Sequence, residues 1–129
     1  MASEQDHLIQ ARHNQALAES LANEIQYKDW IITTAFYAAV HYVEGNFAKR
    51  YSLHGEFEGG TSPHTWRIDT LKQKGYSFPC RSAYRKLYVA SRQVRYLEHS
   101  DPKGAHFANE TVLEFLTVDL AAIRKELQY

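Results

Sequence analysis

The 129-residue chain has little of what anchors many functional readings. It holds one cysteine, Cys80. A single thiol makes no intramolecular disulfide and no cysteine-rich zinc site, and it suits a reducing compartment, so the cytoplasm is the expected location. Lysine plus arginine equal aspartate plus glutamate at 15 each, giving zero net charge. That balance speaks against nucleic-acid binding by bulk electrostatics. No apolar run is long enough to span a bilayer: the longest, Trp30 to Val43, is interrupted by Thr33, Thr34 and His41. No basic segment followed by an apolar one opens the chain, so no signal peptide is expected. No HExxH or Cys/His spacing, Gly-rich phosphate loop or GxSxG elbow occurs, so neither a metal nor another cofactor is expected. Gly59-Gly60 is a lone pair within a loop.

Proline (3) and glycine (6) are also few, and they are grouped. The stretches between the groups read as helix, because apolar residues recur at helical spacing and do not alternate as a half-buried strand requires. With 44% apolar residues, one domain covering 1–129 can fill its core. The pattern predicts an all-α, antiparallel up-down bundle of four to five helices. The first helix is expected from Ser3 to Ile25, opened by a Ser3/Asp6 capping box and carrying Leu8, Leu17, Leu21 and Ile25. The second runs from an Asp29 N-cap to Arg50. It is apolar around most of its circumference (Trp30, Ile31, Ile32, Phe36, Ala39, Val40, Val43, Phe47) and should be central. A loop spans 51–61. Ser62-Pro63 starts a short third helix that stops at Gly75, and a fourth runs from Arg81 to His99. Asn109 opens the last, whose Leu113, Leu116, Leu120, Ile123 and Leu127 form a strict heptad seam facing the bundle or a partner chain.

The fourth helix concentrates charge on one line. At about 100° per residue, Arg81, Arg85, Tyr88, Arg92, Arg95 and His99 fall within a stripe roughly 80° wide. Ala83, Tyr84, Leu87, Ala90, Val94 and Leu97 take the other side, and Glu98 lies off the stripe. One reading is a solvated face. The other is an anion site, since arginine forks match phosphate and an interleaved tyrosine can stack on a base. The second helix carries a polar strip of Thr34, Tyr37, His41 and Glu44. Either Tyr37 and His41 satisfy one another or a backbone carbonyl, or the strip lines a pocket facing the basic stripe. His64 and Arg67 lie one turn apart on the third helix, with His54 in the loop before it. None of these three receives a role. Cys80, after Pro79, sits where a helix start can lower a thiol pKa, or is a bystander at a helix boundary.

Three parts of the chain resemble small HEPN-like proteins. These are Asp29-Trp30-Ile31-Ile32-Thr33-Thr34-Ala35-Phe36-Tyr37-Ala38-Ala39-Val40-His41-Tyr42-Val43-Glu44; His64 with Arg67; and Tyr84-x-x-Leu87-x-x-x-Ser91-Arg92-x-x-Arg95-Tyr96. The resemblance covers about residues 10–127 as an order of helices. HEPN families carry an Arg-x(4–6)-His motif before their last helix, and Arg92 to His99 fits it with six intervening residues. The resemblance implies a bundle that dimerises and a metal-independent endoribonuclease of the toxin or defence type, with a site shared across the homodimer. It also implies RNA as substrate and a cognate antitoxin or effector protein as partner. His99 would be the general acid/base and Arg92 the phosphate ligand, with Arg95, Arg81, Arg85 and Tyr88 as further substrate contacts and Tyr37, His41 and Glu44 behind them. The alternative is a non-catalytic helical module, such as the partner subunit of a nucleotidyltransferase, acting through the seam Leu113 to Leu127. A third class is a small molecule or nucleotide held between helices two and four by Tyr37, His41 and Arg95.

Overall fold

Helix α2 (Lys28–Tyr51) is the axis of the computed structural model, which describes residues 1–55 and 62–129. Ile32, Phe36, Ala39, Val43 and Phe47 are sealed from solvent, as expected of a helix that is apolar on most sides. Around it stand α1 (Glu4–Ser20), α3 (Pro63–Gln73), α4 (Phe78–Arg95) and a C-terminal helix α5 over 109–127. The described residues contain no strand, and the chain is an all-α helical bundle.

Contacts along the helices fix their directions. Lys49 pairs with Glu4 whereas Tyr42 donates to Gln15, so α1 runs antiparallel to α2, and a Cβ on Gly45 would come within 3.2 Å of the His7 Cβ. Tyr76 bonds Asn46, whereas Arg95 reaches back to Tyr37, so α4 is also antiparallel to α2. Glu126 accepts from the Ser77 N–H and Asp119 pairs with Lys86, which places α5 antiparallel to α4. No helix among the described residues is long and apolar enough to cross a membrane.

Several boundaries differ from those expected. Helix α1 has the Ser3/Asp6 capping box but ends at Ser20, five residues before Ile25. There the Ser20 hydroxyl donates to the Leu17 carbonyl, competing with continued helix. Leu17 and Ile25 are 46% and 57% exposed. Asp29 is not the N-cap of α2. Tyr27 is, and Asp29 sits in the first turn, where its charge still suits the helix dipole. Trp30 is 57% exposed and outside the core. Helix α4 starts at Phe78, not Arg81, because Ser77 accepts from the Cys80 N–H ahead of Pro79, the device that Ser62-Pro63 uses for α3. It ends at Arg95, and Leu97, His99 and Ser100 all have left-handed φ. Leu97 is therefore exposed instead of lying on the apolar side.

The strict seam of the last helix is also broken. Phe115–Leu120 is a π-helical segment between Asn109–Glu114 and Ala121–Leu127. The wider turn shifts the phase, so Val112 faces the core before it, Phe115 and Leu120 within it, and Ile123 and Leu127 after it. Leu113 is left 38% exposed. Most of this apolar surface is consumed by the protein's own core. Cys80 is buried, and burial pushes its thiol up to about 12, so the helix start does not activate it. The expected loop over 51–61 is described only to Gly55; Gly59 and Gly60 lie outside the described residues.

Candidate functional site

The polar strip of α2 is where the bundle becomes chemically unusual. At its C-terminal end Arg67 Nε donates to Glu44 Oε1 at 2.6 Å, with only 13% and 7% of the two side chains exposed. Gly55 presses on this pair from the other side: its φ is +72°, and a Cβ there would approach Glu44 Oε2 to 3.3 Å. Arg67 Nη1 also donates to His64 Nδ1 at 3.1 Å. A guanidinium offers no acceptor, so Nδ1 carries the lone pair and the imidazole proton sits on Nε2. Burial, then the positive charges of Arg67 and Arg95, hold the His64 pKa below its usual value. His64 is thus a neutral donor, packed against Tyr88 and Phe36 at ring separations of 5.2 and 5.4 Å. The Tyr84 hydroxyl is fully buried beside Arg67, yet it makes no well-formed hydrogen bond.

One turn earlier on α2, His41 Nδ1 lies 3.0 Å from His7 Nδ1 of α1. One ring must donate and the other accept, so the pair holds a single Nδ1 proton. Burial lowers both pKa values; for His41 the His7 charge lowers it further, against the opposing pull of Glu44. Tyr37 and His41 therefore do not satisfy one another. His41 is tied to α1, and the Tyr37 hydroxyl accepts from Arg95 Nη1 at 3.1 Å. Thr34 makes only a local bond, to the Trp30 carbonyl.

The arginines of α4 have different fates. Arg95 Nε donates to Ser91 Oγ at 2.8 Å, and its guanidinium lies 5.1–5.7 Å from the ring centres of Tyr96, Tyr37 and Phe36. Among the described residues no carboxylate pairs with it. Arg92 is paired: Nε is 2.8 Å from Glu98 Oε1, and Tyr88 and Glu98 together stabilise its charge. Glu98, although off the helical stripe, thus curls back onto it. His99 does not continue the stripe, because the helix ends at Arg95 and His99 sits exposed on a left-handed turn. At the other end of α4, Arg81 donates to the Tyr76 carbonyl and lies over the exposed Phe78 ring. Arg85 and Arg81 line a cavity of about 380 Å³ with Lys72 and Asp69. No cluster of three or more His, Cys, Asp or Glu side chains placed to hold a metal occurs among the described residues.

No family model, curated protein or solved structure matches this chain.

The structure brings Tyr37, His41, Glu44, Tyr88 and Arg95 to one side of α2. It places Arg92 and His99 further out, and Arg81 and Arg85 around the far end of α4. Three residues without an assigned role join the site: His7, His64 and Arg67. Their signal was present. His64 and Arg67 share a helix face, and His7 lies on the inward face of α1 with Leu8, Ala11 and Ala18. What spacing alone lacks is the partner across the bundle. His54, in the loop before α3, donates from Nδ1 to the Ala2 carbonyl.

Proposed function

We propose that this chain is a HEPN-like RNA-binding domain and a metal-independent endoribonuclease that works as a homodimer. The observation that carries the reading is Arg95. Its guanidinium is oriented by Ser91, Tyr37 and Tyr96, all neutral, so its charge stays available to a phosphate. Arg67 and Arg92 are already paired with Glu44 and Glu98. Arg95 also sits among aromatic faces, and a nucleobase beside it can stack on Tyr96, which is 67% exposed.

The chemistry follows from residue types. RNA supplies its own 2′-hydroxyl nucleophile, so the protein must stabilise the charge that develops on the phosphate and move two protons. Arg95 meets the phosphate oxygens, and the His64 Nε2–H is a neutral donor close enough for Arg95 to influence its titration. Arg92, once substrate displaces Glu98, and His99, exposed just beyond the end of α4, take the outer phosphate and proton-transfer roles that the HEPN motif gives them, and there a second copy contributes its own pair. Tyr88 links the two groups, since it touches both His64 and Arg92.

The test is binding and cleavage of RNA in EDTA. Arg95→Ala is expected to weaken binding by about ten- to a hundredfold, the loss of one charge-assisted contact. His99→Ala is expected to reduce cleavage by roughly 10²–10⁴ with binding retained. Binding without cleavage by the wild type moves the assignment to the non-catalytic module. Binding and cleavage untouched by Arg95→Ala removes the site.

A further inference from the structure

On the opposite side of α2 a second arginine pair converges. Arg12 of α1 and Arg124 of α5 line a cavity of about 240 Å³ with Gln15, Ala16, Glu19 and Tyr42. The Arg124 guanidinium lies over the Tyr42 ring, 5.3 Å from its centre. Its Nε is buried and has no hydrogen-bond partner. Burial raises the Tyr42 pKa, and the charges of Arg124 and Arg12 oppose that rise while Glu19 adds to it. The other polar groups there bond one another: Tyr42 Oη donates to Gln15 Oε1 at 2.7 Å, and Gln15 Nε2 donates to the Glu19 carboxylate at 2.7 Å. Among the described residues neither Arg12 nor Arg124 has a carboxylate within 4.0 Å. Two like charges beside a buried, unsatisfied N–H are unfavourable without a counter-anion.

We propose that Arg12 and Arg124 form an anion site for a phosphate group, with Arg124 as the inner ligand and Arg12 closing the rim. Two guanidinium forks present parallel N–H pairs, the geometry that a tetrahedral oxyanion accepts. Two cations and one nearby carboxylate leave one net positive charge, enough for one phosphate and too little for a polyphosphate chain. The site draws on three helices, so its occupation ties α1 and α5 to α2. It is independent of the RNA reading, since Arg95 is on the other side of the bundle axis.

The experiment titrates inorganic phosphate into the Arg95→Gln variant, so that phosphate bound near α4 is not counted. The readouts are calorimetry and the ¹⁵N shift of the Arg124 Nε–H. Saturable binding that moves this resonance is expected. Arg12→Gln, a change on the exposed rim, should weaken it about tenfold or more. Glu19→Gln should tighten it by removing the nearby negative charge. Arg124→Gln is included only if its thermal melt shows a folded protein. A parallel titration with adenosine monophosphate separates the sources: tighter binding than inorganic phosphate assigns a phosphate ester, weaker binding the free ion. Absence of saturable binding, or equal affinity in Arg12→Gln, overturns the proposal.

Discussion

Arg67 and Arg92 are both paired with a glutamate, and the two pairs behave as different objects. Arg67–Glu44 is 13% and 7% exposed and is enclosed by α2, α3, Gly55 and Tyr84. Arg92–Glu98 is 56% and 35% exposed at the frayed end of α4. Inside, each partner is required because the other is buried with it. Outside, water and salt substitute for either. A histidine accompanies each pair and differs in the same way. His64 is fixed in tautomer by Arg67, whereas His99 stands on a left-handed turn in solvent. The inner group is preorganised, and the outer one is held far less.

The sharpest way to break this comparison is to remove Glu44. Glu44→Gln leaves the Arg67 charge buried without its counter-ion, and a loss of about 3–5 kcal/mol in unfolding free energy is expected by urea denaturation. The double variant Glu44→Met/Arg67→Leu should recover most of that loss, because burying neither charge is close to neutral. If the single variant is as stable as wild type, the pair does not organise the site.

Acidification should strike the same region. Burial lowers the pKa of His7, His41 and His64 below 6.5 in the folded protein. Between 6.5 and those lower values the unfolded chain binds more protons than the folded one, so unfolding free energy falls as pH falls below about 6.5. Each proton taken up on unfolding sets a slope of about 1.4 kcal/mol per pH unit. The His7–His41 bond holds one Nδ1 proton, so charging both rings breaks it. Denaturation midpoints from pH 7.5 to 5 should decline, and His41→Gln should flatten the decline. The lowered carboxyl of Asp6 acts only in a separate, more acidic window. It favours the fold above 3.8, and that contribution is lost as pH falls through its folded value.

Gly55 tests the packing over the pair. At φ +72° an alanine is strained, and its Cβ would crowd Glu44 Oε2 at 3.3 Å. Gly55→Ala should cost about 1–2 kcal/mol. A neutral result would mean that this segment is not held against Glu44.

The helices were legible because each carries its own start signal: Ser3/Asp6, Ser62-Pro63, and the apolar circumference that makes α2 central. The Ser77-Phe78-Pro79 start of α4 is equally local, a serine cap and an early proline just ahead of the expected Arg81. The end of α4 was not legible. Nothing in Arg95-Tyr96-Leu97-Glu98-His99 is a glycine or proline, yet Leu97 and His99 take left-handed φ. A helical wheel extended past Arg95 therefore placed His99 on a helix that had ended. The π segment escaped for a related reason, since Phe115–Leu120 reads as ordinary helix and its wider turn is set by packing. In the site, the α2 strip was visible as a polar line on an apolar helix. Its partners His7, His64 and Arg67 come from two other helices, and sequence spacing carries no information across that distance.

The smallest effect belongs to the outer pair, and it decides whether the outer pair is structural at all. Glu98→Ala removes the partner of Arg92 without leaving a buried charge, because Arg92 is more than half exposed and Tyr88 still touches it. The expected stability change is below about 1 kcal/mol and should shrink further in 0.5 M salt. On the proposed RNA reading, affinity should move the other way, since freeing Arg92 from Glu98 adds a guanidinium to the surface that Arg95 already presents. A large loss of stability in Glu98→Ala would make the end of α4 a second structural pair. It would then withdraw Arg92 from substrate binding, because an arginine needed to hold the fold together is not available to a phosphate.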